Sequence, residues 1–301
     1  MDVLITGASG FVGVNLINYL NSAEGVKHSS ISLRKVSDFT IRPEVNAIVH
    51  LAGKAHDLKG VSSEDEYYTV NTDLTKMVFD AFLESKAEVF IFVSSIKAVI
   101  DKLEDGVLTE GMKENPQTPY GKSKLLAEQY IVSKELPSDK RVYVLRPCMV
   151  HGPRNRGNLS LLYAFVNKGL PYPLGAYDNK RSLLGVENLA FVMKELLFRR
   201  DVESGIYHVS DDEAISTLAI VELFAKQMTK NITVLKLPKG IIRFIAGIGD
   251  KWKFFPLNSE RLDKLTSNYV VSNEKLMRAL GKELPFSVKE SLLKTVKSFK
   301  E

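Results

Sequence analysis

Tyr120 and Lys124 stand four residues apart in the run Tyr120-Gly121-Lys122-Ser123-Lys124. On a helix that spacing puts both side chains on one face. A lysine ammonium beside a phenol favours the phenolate and lowers its pKa from about 10. Such a tyrosine can trade a proton with a carbinol or carbonyl oxygen near neutral pH. Ser95 follows the apolar run Val89–Ser94. A strand there would carry its hydroxyl to the carboxyl edge of a sheet, where open α/β sheets bind ligands. The hydroxyl can then hold the same substrate oxygen. Together the three residues suit oxidation or reduction at a carbinol carbon.

That chemistry needs a hydride carrier, and the first residues hold a candidate cradle. Thr6-Gly7-Ala8-Ser9-Gly10-Phe11-Val12-Gly13 places glycines at 7, 10 and 13 between an apolar run and an amphipathic stretch. One glycine permits a tight turn, one lets backbone approach a pyrophosphate, and one lets helix pack on strand. A helix opening there points free N–H groups and a positive dipole end at the phosphates. Ser9, Phe11 and Val12 belong to the same turn. A nucleoside-triphosphate P-loop is excluded, because Val14 follows Gly13 instead of Lys and Ser/Thr. Near the expected end of the second strand the chain reads Ser32-Leu33-Arg34-Lys35. An acidic residue there accepts the ribose hydroxyls of NAD, whereas Arg34 and Lys35 suit a 2′-phosphate. The expected cofactor is NADP(H), with NAD(H) as the alternative because Asp38 lies close by.

The elements that position these groups follow from hydrophobic periodicity. Strands are expected at Val3–Thr6, Ser30–Leu33, Ala47–Leu51, Val89–Ser94, Arg141–Leu145 and Gly205–Val209. Helices are expected at Phe11–Asn21, Tyr68–Glu84, Pro119–Ser133 and Val186–Arg199. Strand and helix in alternation predict an α/β fold, a doubly wound parallel sheet of the Rossmann type. From about Gly152 the pattern loosens into turns and shorter helices. This predicts a dinucleotide-binding domain of residues 1–152 plus 182–211. The rest, 153–181 plus 212–301, forms a smaller mixed C-terminal lobe.

Composition fits that reading. The 301 residues are 45% hydrophobic and 26% charged, which excludes a disordered or collagen-like chain. The lone cysteine, Cys148, cannot form an intrachain disulfide, as expected of a cytoplasmic protein. No targeting segment opens the sequence, and no run reaches a membrane span. Gly240–Leu257 sets Phe244, Trp252, Phe254 and Phe255 among Lys and Arg. It reads either as an interfacial amphipathic segment or as a helix packed on the second lobe. The formal charge of +5 is spread along the chain without a nucleic-acid-binding signature, so no nucleic-acid partner is expected.

The chain resembles the extended short-chain dehydrogenases/reductases of the NAD-dependent epimerase/dehydratase type, which act on nucleotide sugars. The resemblance rests on T-G-A-S-G-F-V-G at 6–13, H-L-A-G at 50–53, V-N-T at 70–72 and V-S-S at 93–95. It continues through Y-G-K-S-K at 120–124 and R-P-C-M-V-H-G-P at 146–153. It implies that Leu51, Ala52 and Gly53 line the adenosine side and that Asn71 belongs to the cofactor site. It also implies that Pro147 and Cys148 pass the nicotinamide, that Lys124 holds the ribose, and that Asn158 and Leu159 meet the substrate diphosphate. Leu174 falls in a segment beside the uracil, Arg181 grips a phosphate, and Arg261 is a second phosphate ligand. Homodimers in this family form through a four-helix bundle, here Tyr68–Glu84 and Pro119–Ser133.

Three reactions share this constellation. The family's dehydratases place Asp-Glu directly after the catalytic Ser/Thr, where this chain has Ile96-Lys97. A 4-epimerase retains NAD, whereas a 4-ketoreductase consumes a fresh reduced cofactor, commonly NADPH. Ser94-Ser95-Ile96-Lys97, Pro173-Leu174-Gly175 and Lys264-Leu265-Thr266 resemble the branch that reduces a UDP-4-keto-6-deoxy-hexosamine in polysaccharide biosynthesis, with Lys97 toward the sugar or a phosphate. The expected activity is therefore a 4-ketoreductase. The alternatives are a UDP-hexose or UDP-HexNAc 4-epimerase and a non-catalytic dinucleotide-binding regulator. One departure stands out: between Lys35 and Asn46 the chain is too short for the family's usual third strand and its helix.

Overall fold

The computed structural model describes residues 1–34, 39–55, 63–103, 105–153, 155, 158–252 and 257–299. In chain order the strands are β1 (Asp2–Thr6), β2 (Lys27–Ile31), β3 (Ala47–His50), β4 (Val89–Val93), β5 (Val107–Leu108), β6 (Arg141–Pro147), β7 (Met149–His151), β8 (Leu183–Gly185), β9 (Gly205–Val209) and β10 (Val270–Val271). The α-helices are α1 (Phe11–Asn21), α2 (Glu64–Tyr67), α3 (Leu74–Glu84), α4 (Pro119–Val132), α5 (Asn158–Asn167), α6 (Val186–Phe198), α7 (Thr217–Gln227), α8 (Lys239–Lys251), α9 (Ser259–Thr266), α10 (Glu274–Leu280) and α11 (Val288–Ser298).

Six strands form a parallel sheet in the order β2-β1-β3-β4-β6-β9. Strands buried on both faces read as continuous apolar runs, and β4 (Val-Phe-Ile-Phe-Val) is of that kind. Successive side chains go to opposite faces. Val89 and Ile91 join one core with Leu16, Leu20, Leu189, Met193 and Leu196 of α1 and α6. Phe90 and Phe92 join another with Val78, Phe79 and Phe82 of α3 and Ala127 and Ile131 of α4.

The strand order reverses at β1: β2 lies on one side of it and β3 on the other. That reversal is the topological switch point, and the 6–13 turn sits on it. Among the described residues no strand lies between β2 and β3, in keeping with the short connection, and β2 is the sheet edge. Leu33, Phe39 and Val45, from around that connection, are buried against Ile48 and Phe79, so the shortened chain still closes the core.

Local differences have physical causes. The half-exposed, polar β2 (Lys-His-Ser-Ser-Ile) spans Lys27–Ile31 and not Ser30–Leu33; an edge strand follows its ladder with β1 more than its apolar content. The expected helix Tyr68–Glu84 is a π-helical stretch over Tyr68–Asp73 followed by α3, and the helical run starts earlier, with α2. Of residues 182–211, α6 and β9 return to the sheet, whereas β8 pairs with β7 in a separate ladder. A third core, built from α5, α7, α8 and α11 with Tyr172, Leu174 and Leu262, holds the C-terminal part together. No helix among the described residues is long and apolar enough to cross a membrane.

Candidate active site

The start of α4 is fixed by several contacts. Thr118 is the N-cap, accepting from the Gly121 N–H at 3.2 Å, and Pro119 opens the first turn. Asp101 clasps this start, accepting from the Thr118 hydroxyl at 2.8 Å and the Gln117 N–H at 2.7 Å. A Cβ at Gly121 would lie 2.4 Å from the Lys97 carbonyl oxygen, so only glycine lets the helix approach the turn after β4. That approach brings Tyr120 to Ser95, whose side chain hydrogen-bonds the phenol. Ser95 also caps the short 3-10 turn Ile96–Ala98, accepting from the Lys97 N–H at 3.2 Å.

Lys124 is buried one turn further along. Its ammonium donates to the Val93 carbonyl at 3.0 Å and lies 4.7 Å from the Phe92 ring centroid. A Cβ at Gly53 would stand 3.1 Å from both the Lys124 Nζ and the Asn71 Oδ1. Asn71 is itself held by the Lys54 N–H at 2.8 Å and donates to Ser123 Oγ at 2.9 Å. Tyr120, Lys124, Ser95, Gly53 and Asn71 therefore meet at one edge of the sheet.

The electrostatics differ from the sequence expectation. Burial raises the Tyr120 pKa above 10.0, only partly offset by the hydrogen bond to Ser95. That keeps the phenol protonated and not poised as a phenolate, while the Lys124 ammonium is turned to the Val93 carbonyl. Burial lowers Lys124 itself to about 8, against the pull of Glu128.

This has a stability consequence. The fall from 10.5 to about 8 corresponds to roughly 3 kcal/mol of disfavoured charge. Losing the bond to Val93 returns about 1 kcal/mol of that. Lys124→Met should therefore be more stable than the parent at pH 7, by about 2 kcal/mol on those two figures. Between pH 8 and 10.5 the unfolded parent binds more protons than the folded one. Parental stability accordingly rises with pH and the gap closes. Denaturant melts of both proteins across that range test this, and a constant gap would sink it.

Behind the trio lies an ion network that sequence reasoning missed. The Ser94 hydroxyl donates to Glu128. Arg146 donates to Glu128 from Nε at 3.0 Å and from Nη2 at 2.6 Å, and to Glu114 at 3.0 Å. The Arg146 and Glu128 side chains are each 1% exposed. Burial opposes the Arg146 charge, but the two carboxylates overcome it and raise its pKa. The signals were a glutamate one turn after Lys124 on the helix and an arginine ending the apolar run Val142–Leu145.

The glycine turn has the shape a dinucleotide needs. Gly7 adopts φ +69°, and a Cβ there would lie 2.6 Å from the Ala52 nitrogen. A Cβ at Gly13 would lie 2.5 Å from the Gly7 carbonyl oxygen. Gly10 is the N-cap of α1 and makes no side-chain cap, and the first turn holds no acid. The N–H end is thus left to an anion, so the residues fit a dinucleotide pyrophosphate. Ser9 is exposed, and Phe11, Val12, Leu51 and Ala52 are half-buried beside it. Leu51 and Ala52 are tied to Thr6 at 3.2 Å each. Arg34 is exposed just past β2, while Lys35 and Asp38 lie outside the described residues.

The remaining predicted residues divide. Lys97 and Arg181 are brought together: the Lys97 ammonium sits 4.6 Å from the Tyr269 ring centroid and donates to the Asp101 carbonyl. Burial lowers its pKa to about 8, with Arg181, Lys264 and Lys102 adding repulsion. Arg181 donates to the Lys264 carbonyl at 2.7 Å and to Ser267 Oγ at 3.2 Å. Such a cation group is an anion-attracting corner beside Ser95. Arg261 is exposed in the first turn of α9. Leu159 and Leu174 are core residues of the C-terminal part, so neither side chain faces an open site. Pro147 pairs with Val209 at the end of β6. Cys148 is packed in the main core, and burial with the Asp211 charge pushes its thiol well above the ordinary range. It is not a reactive thiol. The Asn158 side chain lies outside the described residues.

Three comparisons place this geometry among known proteins. Residues 3–210 match the model of the NAD dependent epimerase/dehydratase family. The UDP-glucose 4-epimerase of Vibrio cholerae is 27% identical over 319 residues, covering 99% of this chain and 95% of that protein. Among solved structures, MoeE5 in complex with UDP-glucuronic acid and NAD superposes with TM-score 0.75 at 20% identity, covering 100% of this chain and 99% of the other. RMD from Pseudomonas aeruginosa complexed with NADPH gives TM-score 0.74 at 19% identity, covering 100% of both. At these identities the structural likeness establishes the fold.

Proposed function

The chain belongs to the NAD dependent epimerase/dehydratase family of NAD(P)-dependent nucleotide-sugar enzymes, and we propose that it is a 4-ketoreductase acting on a UDP-4-keto-6-deoxy-hexosamine with NADP(H). The observation that carries the reading is the meeting of Ser95 and Tyr120, with Lys124 one turn beyond. NADP(H), when bound, supplies the hydride. Ser95 holds the C4 oxygen, and Tyr120 gives it a proton. A half-buried, protonated phenol is the state that reduction requires, since the reaction consumes one proton at that oxygen. Lys124 holds the ribose beside Gly53 and Asn71.

The cofactor is held by Gly7, Ser9, Gly10, Phe11, Val12 and Gly13 at the pyrophosphate and by Leu51, Ala52 and Gly53 on the adenosine side. Pro147 and Cys148 border the nicotinamide through backbone, since the thiol is buried. Arg34, exposed past β2, and Lys35 favour the 2′-phosphate. On the substrate side, Lys97 and Arg181 attract the diphosphate, and remote binding energy spent there positions the sugar. Ile96 and Lys97 replace the acid pair a dehydratase needs, which argues against water elimination. We place the enzyme in the cytoplasm as a homodimer through α3 and α4, where Leu126 and Val132 are exposed on α4.

One observation favours a second reading, a 4-epimerase with retained NAD: the likeness to the Vibrio cholerae enzyme runs over 99% of this chain. A non-catalytic regulator on this fold has no need of Ser95, Tyr120 and Lys124, and all three stand here. Incubation with UDP-4-keto-6-deoxy-GlcNAc and NADPH separates the readings. Reduction predicts loss of NADPH absorbance in proportion to a 4-hydroxy product. Interconversion of UDP-GlcNAc or UDP-glucose epimers without added reductant, and no NADPH consumption, would replace it with epimerisation.

A further inference from the structure

The helix α8 buries Ile242, Ala246 and Gly249 and leaves a second apolar stripe outside. Ile241 is 51% exposed, Phe244 71%, Ile248 43% and Trp252 70%. These residues recur at three- and four-residue spacing, so they form one face. Isolated exposed apolar residues are ordinary, but an aligned aromatic and aliphatic row marks an interaction surface.

The charges say which surface. The helix carries Lys239, Arg243 and Lys251, all exposed. Lys251 is two turns from Phe244 and beside it on the wheel, and Arg243 is the next residue round, about 100° away. Lys239 is turned from the stripe, its ammonium 5.3 Å from the Tyr177 ring centroid. Its one acid, Asp250, is engaged elsewhere: it accepts from the Ser259 N–H at 2.9 Å and the Ser259 hydroxyl at 2.6 Å, capping α9. Among the acids of α9, Glu260 is paired with Lys264 and Asp263 with Lys102. A second copy of this chain would set Arg243 and Lys251 against their own counterparts, on a molecule of formal charge +5. An anionic bilayer satisfies the stripe and the cations together. Phenylalanine and tryptophan on the apolar side with lysine and arginine flanking it is the pattern of helices that lie in the interfacial plane.

We propose that α8 docks this enzyme peripherally onto an anionic membrane surface, with Ile241, Phe244, Ile248 and Trp252 entering the headgroup region and Arg243 and Lys251 meeting the phosphates. The helix remains packed on its own core through Ile242 and Ala246, so docking needs no unfolding. This goes beyond the assignment of the reaction and does not depend on it.

The chain supplies its own probe, because Trp252 is its sole tryptophan. The full-length protein is mixed with vesicles of phosphatidylethanolamine and phosphatidylglycerol, and in parallel with phosphatidylcholine alone. The expected results are co-flotation with the anionic vesicles, a blue shift of Trp252 emission, and quenching by brominated acyl chains. Each apolar side chain contributes about tenfold or more in partitioning, so Phe244→Ser/Ile248→Ser should lose binding. Arg243→Glu/Lys251→Glu should lose it on anionic vesicles, because the electrostatic attraction is reversed. All four side chains are exposed, so thermal melting should be unchanged, and a variant that melts lower is replaced by the other pair. Absence of flotation and of any emission change for the parent overturns the proposal. So does vesicle binding that survives Phe244→Ser/Ile248→Ser. Light scattering showing a parental dimer that this variant splits, with Trp252 emission indifferent to vesicles, gives the face to a second copy instead.

Discussion

Tyr120→Phe is expected to lower kcat/KM by about a thousandfold, in the range of lost general acid catalysis, while NADPH affinity stays close to that of the parent. The substitution removes one hydroxyl and keeps the ring, which packs edge-on against Tyr67 at 6.4 Å between centroids. The proton donor is gone, but Gly53, Asn71 and Lys124 are untouched. The loss should fall on kcat rather than KM, because the hydroxyl acts chiefly where charge develops on the C4 oxygen. Burial holds the parental phenol above 10.0, so the acid stays protonated throughout the neutral range. Reduction by the parent should therefore run flat through neutrality, fall as Lys124 loses its proton at about 8, and fall again as the phenol ionises above 10.0. The residual activity of the variant should keep the first limb and lack the second. Turnover retained within tenfold, or a second limb above 10.0 that survives the substitution, would remove Tyr120 from the proton-donor role.

Much of this architecture was legible because its signals are local. The turn at 6–13 needs glycines at fixed offsets, and the steric reasons act within one strand-turn-helix unit: a Cβ at Gly13 meets the Gly7 carbonyl six residues away. β3 and β4 announce themselves because buried parallel strands need apolar residues on both faces. Tyr120 and Lys124 are one helical turn apart, so sequence spacing is spatial spacing. What stayed hidden depends on distant chain segments meeting. Lys97 and Arg181 share a corner only because 264–269 folds between them, with Tyr269 donating to the Ile100 carbonyl at 2.6 Å. The direction of the Tyr120 shift depends on burial, which spacing does not report. The resemblance implies that Leu159 and Leu174 run along the substrate, while their apolar side chains pack into the C-terminal core, as apolar character alone predicts. The resemblance likewise implies that Cys148 passes the nicotinamide, whereas its side chain is packed in the main core.

The largest expected effect on stability comes from Arg146→Met. It leaves the Glu128 carboxylate, 1% exposed, without its bidentate partner, and only the Ser94 hydroxyl remains to satisfy it. Breaking a buried pair from one side costs about 3–5 kcal/mol, and equilibrium denaturation should show a loss of that size. The partner variant distinguishes an uncompensated charge from lost packing. In Arg146→Met/Glu128→Gln the buried charge is gone and the amide oxygen still accepts from Ser94, so more than half of the lost stability should return. If the double variant is no more stable than Arg146→Met, the network contributes through shape and not through charge. The same pair tests why a paired charge sits here at all. Glu128 holds Ser94, the residue before Ser95, and Arg146 holds Glu128 against Glu114. In the double variant the amide still accepts from Ser94 but no guanidinium clamps it in place, so Ser95 is held less firmly toward the Tyr120 phenol. The double variant is then expected to recover stability without recovering kcat, with KM near the parental value. The ion network would thereby be shown to serve the geometry of the site more than the stability of the fold.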